Sequence, residues 1–515
     1  MSTLEPRPPY TAAELSKLYP DDLELTKVQI LLRHGERTPV NPRFQNAGVP
    51  AYWPYCDSIN RMRSVIRNAD AELDSLTWRR RLETFGDDDG PHRASGPQGE
   101  VESVCQPGEL TNKGRETTLA LGERIRRLYV DQLGFLPGVL DSKTLDKVLL
   151  RSTPIPRARE STEQAFTGIW PASRRVPNLQ PPTMVMRYWN EETLFPNEGH
   201  CKRFRELAKE FADRTSKFYN DGPEMTYLNN KIGKWMPPES PVVKVDGHPR
   251  LSGIMDSTNA TLAHGKETRL PSEFYDPKVR EHVDRICTEE WFIGYQESNE
   301  YRKLGIGAAV GDLTQQMVEH VRSDGKGDDA FKISLNGCHD TTIAATLAAL
   351  GAFDVEKDKW PNFTANIAIE LFKAKDSTAS SYNQTPTSTT SGTLYPSQQR
   401  TWLSSLTSIF TTSSPTSSTT NVPSARSPFS SLTTTEQSKL STYFVRLRYN
   451  DVPITLPACK PTGKHWRDEE SFCTLAAFKQ AADSFTPADW RRECGENLGV
   501  SGMRVGGVER PPGVV

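Results

Sequence analysis

A histidine between two arginines, at the end of an apolar run, is the part of this sequence best suited to chemistry. The run at 28–32 predicts a buried strand, and it leads directly into Arg33 and His34, with Arg37 three residues later. A neutral imidazole can attack phosphorus, and two fixed guanidinium groups can bind the oxygens of a phosphate dianion. Gly35 would let the backbone come close to a ligand. The spacing therefore predicts a nucleophile that a strand delivers into an anion pocket.

Predicted strands alternate with predicted helices along the chain. Residues 146–150 and 331–337 predict two further strands of the core, and residues 366–372 and 443–449 predict neighbouring strands. A helix is predicted after Thr111, a residue type that caps helices. We therefore predict an α/β fold with a mostly parallel central sheet, helices on both faces and a mainly helical cap. Ligands of such sheets bind at the carboxyl ends of the strands.

The heptapeptide RHGERTP, which begins at Arg33, resembles the signature of the histidine acid phosphatases, the second branch of the phosphoglycerate-mutase-like superfamily. Two later segments resemble the same family, in the same order. One is Arg151, Ser and Thr followed by Arg157, and the other is the pair His339 and Asp340 before two threonines. The resemblance covers most of residues 25–494. It implies an acid phosphatase that hydrolyses phosphate monoesters through a phosphohistidine, with no metal and no cofactor.

The resemblance also implies a role for each matching side chain. His34 would be the nucleophile, and Asp340 would protonate the leaving alkoxide and then act as base toward water. Because Asp340 must carry a proton at the moment of attack, an acidic pH optimum is expected. Four side chains would bind the phosphoryl oxygens, namely Arg33, Arg37, Arg157 and His339.

Some residues have competing interpretations. Arg151 and Arg159 are alternatives to Arg157, which is preferred because its spacing matches the family pattern. His200 beside Cys201 could suggest a metal site, but no second ligand pair has suitable spacing, so a structural role is expected.

One catalytic domain with insertions is predicted for the 515-residue chain. A helix is expected near 70–82. Residues 376–438 are dominated by Ser and Thr, cannot offset their ordering entropy by apolar burial, and are predicted to be a disordered insert. The remaining predicted boundaries are a loosely ordered leader at 1–24, the phosphatase domain at 25–494 with cap insertions at approximately 41–106 and 171–307, and a flexible tail at 495–515.

Composition narrows the range of partners and compartments. The net charge of −2 and the absence of a long single-sign block argue against nucleic acid. No apolar run approaches the roughly 18 residues of a membrane span, and no apolar leader is recognisable at the start. An intracellular, cytoplasmic location is therefore expected, with a mitochondrial location or a lost signal exon as alternatives. The cysteines would then stay reduced, whereas in secreted relatives Cys459 and Cys473 would be the pair to join.

Three other functions compete with a general acid phosphatase. A mutase-type enzyme would usually take its acid from a glutamate after the first motif, and Glu36 is not assigned that role. A phytase would share the His-Asp pair. A phosphate-binding or partner-docking member with little activity would lack a catalytic side chain. The segment Leu194–Asn197 resembles the lysophosphatidic acid phosphatase branch, so a lysophospholipid is a candidate among small phosphate monoesters. The oligomeric state is left open.

Overall fold

The computed structural model of this protein describes residues 8–326, 331–375, 426–503 and 508–514. Its strands, in chain order, are β1 (Leu23–Arg33), β2 (Met62–Arg67), β3 (Leu73–Trp78), β4 (Glu83–Phe85), β5 (Pro91–Arg93), β6 (Val148–Ser152), β7 (Met184–Val185), β8 (Ile333–Cys338), β9 (Asn366–Ala374), β10 (Tyr443–Tyr449), β11 (Val452–Ile454), β12 (His465–Trp466) and β13 (Glu469–Thr474).

The α-helices complete the fold. They are α1 (Ala12–Leu18), α2 (Asn112–Arg126), α3 (Ser142–Leu145), α4 (Pro156–Ile169), α5 (Lys202–Tyr219), α6 (Pro223–Ile232), α7 (Leu251–Ala263), α8 (Pro277–Glu297), α9 (Asn299–Arg302), α10 (Ala308–Arg322), α11 (Asp340–Ala349), α12 (Thr434–Leu440), α13 (Leu475–Asp483) and α14 (Trp490–Glu493).

One mixed sheet organises the molecule. Its strand order is β12-β13-β10-β9-β1-β8-β6-β7, with β11 paired to β10. The strands β1, β8, β6 and β7 run parallel to one another, whereas β9 pairs antiparallel with β1 and with β10. The predicted α/β class is confirmed, and the carboxyl ends of β1, β8 and β6 meet at one edge of the parallel half.

Both faces of the sheet are covered. In β1, Ile30 and Leu32 pack into a core cluster that includes residues of α2 and α4, whereas Leu31 belongs to the cluster that includes α10, α11 and the cap helices α5 to α8. Successive side chains of a strand point to opposite faces, so a continuous apolar run fits a strand buried on both sides. The predicted cap of Thr111 is confirmed, since its hydroxyl accepts a hydrogen bond from the Gly114 amide.

The cap differs from its prediction in one part. The insertion at 171–307 is mainly helical, but no helix forms near 70–82, where β2 and β3 instead make an antiparallel hairpin. The turn explains this difference. Asn68 accepts hydrogen bonds from two backbone amides of the turn through Oδ1, and Ala71 has a positive φ of 64°, a conformation that ends a right-handed helix.

The two termini are more ordered than predicted. In the leader, the Tyr10 hydroxyl accepts a hydrogen bond from Arg448 at 2.6 Å, and the Tyr19 hydroxyl donates to buried Glu370 at 2.6 Å. In the tail, the Glu509 amide donates to the Glu297 carbonyl at 2.8 Å. These contacts connect residues 8–24 and the described part of 495–515 to the rest of the fold, where a loose leader and a flexible tail were expected.

The serine- and threonine-rich insert is described only in part. Residues 376–425 lie outside the described residues, so the prediction of disorder for them stays a prediction. Residues 426–438 contradict it, because they carry the start of α12, which begins with a capping box formed by Thr433 and Glu436.

Three disulfides link distant parts of the fold. They join Cys56 to Cys105, Cys201 to Cys494 and Cys459 to Cys473. The structural role expected for Cys201 is confirmed by its disulfide, and the pair expected in secreted relatives is present. Within the described part of the chain, no helix is both long and apolar enough to span a bilayer.

Candidate active site

The predicted site residues converge at the carboxyl edge of the parallel strands. Arg33 is the last residue of β1 and pairs in register with Cys338, the last residue of β8. His34 and His339 directly follow these two strands, and their rings lie 5.5 Å apart between centroids. Arg157 is the second residue of α4, which follows β6. Three separate segments thus meet at one place, as the sequence predicted.

His34 is held in one orientation by the backbone around it. Its Nδ1 lies 2.9 Å from the Gly35 carbonyl oxygen, which can only accept, so Nδ1 carries the proton and Nε2 keeps its lone pair. Gly35 has a packing role that was not predicted from the sequence. A Cβ at this position would lie 2.3 Å from the carbonyl oxygen of Gly114 in α2. The glycine therefore allows close packing of the motif against α2.

His34 and His339 are both neutral at the pH values at which enzymes usually work. Burial lowers the pKa of His34 well below its usual range, and the cations of Arg157, Arg33 and Arg37 lower it further. Burial, with Arg157 as the next cause, lowers the pKa of His339 to about 3. His339 Nε2 lies 3.0 Å from the Thr153 hydroxyl. A neutral, oriented imidazole is the form that can act as a nucleophile.

Arg33 and Arg37 are buried, Arg157 is partly exposed, and all three keep a buried donor that no protein group uses. Arg33 and Arg37 are 5% and 7% exposed, and burial lowers the pKa of Arg157 to about 9. The Nε atoms of all three are buried without a hydrogen-bond partner among the described residues. Such donors are costly unless they are satisfied, and a bound oxyanion would satisfy them. The N-termini of α4 and α11 at the same edge add a favourable dipole for an anion.

Asp340 is bound to the site by three donors. Its Oδ2 accepts from Arg33 at 2.7 Å and from the Trp360 indole at 3.0 Å, while its Oδ1 accepts from the Thr341 amide at 2.8 Å. Burial would raise the pKa of this carboxyl, but Arg33, the Trp360 hydrogen bond and Arg37 outweigh burial and lower it to about 2. The expected proton on Asp340 is therefore not supplied by the protein groups around it.

The alternatives to Arg157 are engaged elsewhere. Arg151 forms a buried ion pair with Glu192 at 2.8 Å, and Glu192 also accepts from two backbone amides. Arg159 has a side chain that is 44% exposed and lies near Glu160 and Glu163. Of the three arginines, Arg157 alone combines two properties: it lies among the site residues, and it keeps an unused buried donor.

Four residues of the site were not predicted from the sequence. Asp256 of α7 accepts from Arg37 at 2.7 Å and lies 3.5 Å from Arg43. Phe363 lies below Arg33, with 4.4 Å between the guanidinium carbon and the ring centroid. Trp360 binds Asp340. No local pattern indicates Asp256, whereas the aromatic residues of 360–363, in a short loop before a core strand, are a signal that could have been followed.

A cavity of about 690 Å³ adjoins these groups. Arg33, Arg37 and Asp340 line it together with residues of the cap. Its apolar lining includes Phe44, Met255, Trp291, Trp360 and Phe363, and its charged lining includes Arg43, Glu239, Arg250 and Asp256. The segment Leu194–Asn197 supports the site from outside this cavity, since the Phe195 ring packs 5.9 Å from that of His339.

The fold and the site together define a phosphate-binding α/β protein, and comparison with known proteins gives its family. The sequence model of the histidine phosphatase superfamily (branch 2) matches residues 24–386. A probable acid phosphatase of Schizosaccharomyces pombe is 34% identical over 478 residues, covering 92% of this chain and 95% of that protein. Lysophosphatidic acid phosphatase type 6 of Homo sapiens is 23% identical over 358 residues, covering 69% and 75%.

Solved structures agree on the fold. The multiple inositol polyphosphate phosphatase of Bifidobacterium longum, in complex with inositol hexasulfate, has a TM-score of 0.50 at 11% identity, covering 93% of this chain and 97% of that chain. This protein belongs to the histidine phosphatase superfamily, branch 2. It is a phosphoric monoester hydrolase related to the acid phosphatases, as the sequence motifs predicted.

Proposed function

We propose that this protein is an acid phosphatase that works through a phosphohistidine on His34. The observation that carries the proposal is the combination of an oriented neutral imidazole with three arginines whose buried Nε donors have no partner among the described residues. Phosphoryl transfer requires mainly positioning and charge stabilisation. The arginines supply the charge, and the Gly35 carbonyl supplies the position by fixing the tautomer.

The reaction proceeds in two steps. In the first, Nε2 of His34 attacks phosphorus in line, the bond to the leaving oxygen breaks, and Asp340 gives that oxygen its proton. In the second, Asp340 takes a proton from water, whose oxygen attacks the phosphohistidine and releases inorganic phosphate. Arg33, Arg37, Arg157 and His339 hold the phosphoryl oxygens throughout.

Asp340 gains its proton when phosphate is bound. A phosphate dianion adds negative charge beside the carboxylate and shares the positive charge of Arg33 with it, and both effects favour the protonated form. Since the protein groups alone hold the pKa of Asp340 at about 2, the protonated form is populated only on the acidic side. An acidic optimum is therefore part of the proposal.

The lining of the cavity favours an amphipathic leaving group. Aromatic side chains such as Trp291 and Phe363 offer apolar surface, whereas Arg43, Glu239 and Arg250 are placed for polar contacts. A lysophospholipid such as lysophosphatidic acid has both characters, and a relative named for this substrate matches the chain. We propose lysophosphatidic acid as the first natural substrate to test.

The deciding experiment is hydrolysis of β-glycerophosphate from about pH 4 to 8. Its alkoxide needs a proton to leave, so this range brackets titration of the essential acid. Wild type should be most active on the acidic side and should carry covalent phosphate during turnover, whereas His34→Ala should lack both the activity and the covalent phosphate. His92→Ala, a change in an exposed strand outside the site, is the matched control. An active His34→Ala would refute the mechanism.

A wild type that binds inorganic phosphate but hydrolyses neither p-nitrophenyl phosphate nor lysophosphatidic acid would favour the second candidate, a phosphate-binding member with little activity. Faster hydrolysis of inositol phosphates than of lysophosphatidic acid would favour a phytase-like enzyme. Both outcomes keep the anion site and change the reaction or the substrate assigned to it.

The compartment follows from the cysteines. Disulfides form and persist in oxidising compartments and are rare in the cytosol. Six of the eight cysteines are paired, and the remaining two, Cys287 and Cys338, are buried. We therefore propose that this protein folds in an oxidising compartment, in place of the cytoplasmic location expected from the sequence.

A further inference from the structure

Trp360 is the aromatic residue in direct contact with the proposed general acid. It lies in the loop between α11 and β9 and is 8% exposed. Its indole N–H donates to Oδ2 of Asp340 at 3.0 Å. The ring is fixed by Trp291 and Phe292, whose centroids lie 5.8 Å and 4.9 Å away. Asp284 of α8 accepts a long hydrogen bond, 3.4 Å, from the Trp360 backbone amide.

Lone-pair counting distinguishes the two oxygens of Asp340. A carboxylate oxygen has about two acceptor positions. Oδ2 receives two donors, the guanidinium of Arg33 at 2.7 Å and the indole of Trp360, so both of its positions are used. Oδ1 receives one donor, the Thr341 amide at 2.8 Å, and keeps one position. A proton added to this carboxylate therefore has room on Oδ1.

We infer that Trp360 is a positioning residue for the reaction: together with Arg33 it occupies Oδ2 of Asp340, so that Oδ1 carries the proton given to the leaving oxygen. This inference rests on the proposed function, because it needs Asp340 as the acid. The other charged or titratable groups that interact with Asp340 include Arg37, Arg157, His339 and the buried thiol of Cys338. None of these is changed by a substitution at Trp360.

The test is Trp360→Phe, which removes the N–H and keeps an aromatic ring in the cluster. Comparing two substrates distinguishes a role in acid catalysis from a loss of activity that does not depend on proton donation to the leaving group. The alkoxide of β-glycerophosphate needs a proton to leave, whereas p-nitrophenolate leaves without one. The quantity compared is the plateau of kcat/KM across pH, because kcat/KM reports the step that breaks the ester bond.

Loss of one oriented hydrogen bond should lower the plateau for β-glycerophosphate about tenfold and that for p-nitrophenyl phosphate less than about threefold. The basic limb for β-glycerophosphate should move to higher pH, because removal of a donor favours the protonated carboxyl. In an Asp340→Asn background the same change should have no further effect on either substrate. Equal losses on both substrates, or an additive loss in that background, would overturn the inference.

Trp490→Phe is the matched control, because Trp490 is also 8% exposed and also uses its indole N–H, which donates to the Leu304 carbonyl at 2.9 Å, away from the site. This control substitution should change neither the ratio of the kcat/KM plateaus for the two substrates nor the pH at which the basic limb of the kcat/KM profile falls. If circular dichroism shows that Trp360→Phe folds poorly, Trp360→His provides a second test, because it keeps a ring N–H. The inference predicts that Trp360→His restores the wild-type ratio of kcat/KM for the two substrates. Failure of the wild type on both substrates would refute the proposed function rather than this inference.

Discussion

Replacing Asp340 with Asn should destabilise the fold in a pH-dependent way, because the carboxylate is stabilised by the site. The pKa of Asp340 is lowered from its ordinary 3.8 to about 2. A tenfold change in proton affinity corresponds to about 1.4 kcal/mol, so ionised Asp340 contributes about 2 kcal/mol to the free energy of unfolding at neutral pH. Its side chain is only 16% exposed, and solvent screening removes little of this contribution.

The sign of the pH dependence follows from the lowered pKa. The contribution is fully present above the unfolded-state pKa of 3.8 and disappears as the pH falls through the folded-state value of about 2. Urea unfolding of wild type and Asp340→Asn should therefore differ by about 2 kcal/mol at neutral pH and by about half of that near pH 3.

Arg33 provides the control for this prediction. It is the strongest favourable charge acting on Asp340, so the penalty of Asp340→Asn should shrink in an Arg33→Gln background. A penalty that stays constant from neutral pH down to about pH 3 would refute the reasoning, and so would a more stable Asp340→Asn protein.

Two further predictions concern the third arginine and the disulfides. Arg157→Gln should lower kcat/KM for p-nitrophenyl phosphate by at least about tenfold, as expected for loss of a charged hydrogen bond to phosphate. Arg159→Gln, at an exposed side chain, should change kcat/KM by less than about twofold. A larger loss of kcat/KM in Arg159→Gln than in Arg157→Gln would assign the phosphate contact to Arg159. Cys201→Ser opens a loop with a sequence separation of 293, and Cys459→Ser one of 14. Chain entropy gives about 6 and 3 kcal/mol. Thermal unfolding should therefore show the larger loss of Tm for Cys201→Ser, and equal losses would contradict this account.

The parallel half of the sheet was predictable because its strands are buried on both faces. The runs before Arg33 and His339 are rich in Ile and Leu, and this pattern does not depend on distant contacts. Residues that follow such strands must meet at one edge, so the gathering of His34, Arg157 and Asp340 could be expected without coordinates. The motif spacing also chose Arg157 over Arg151, and the ion pair of Arg151 with Glu192 gives the physical reason.

Other features depend on contacts that leave no local pattern. Asp256 reaches Arg37 across a sequence separation of 219, and nothing near Asp256 in the sequence indicates an arginine partner. A helix was predicted near 70–82, where β3 forms the second strand of a hairpin. β3 is exposed along its whole length, so no apolar face selects a helix there. The turn at Asn68 decides the structure instead.

Two contacts at the site bear on the proposed mechanism. Arg33 and Trp360 hold an ionised Asp340, and Gly35 packs against α2 and so fixes the motif that carries His34. In the proposed mechanism the negative charge of a bound phosphate raises the proton affinity of Asp340. Protonation of Asp340 would then be linked to occupation of the phosphate site, so that the acid forms where a leaving group is present to receive its proton.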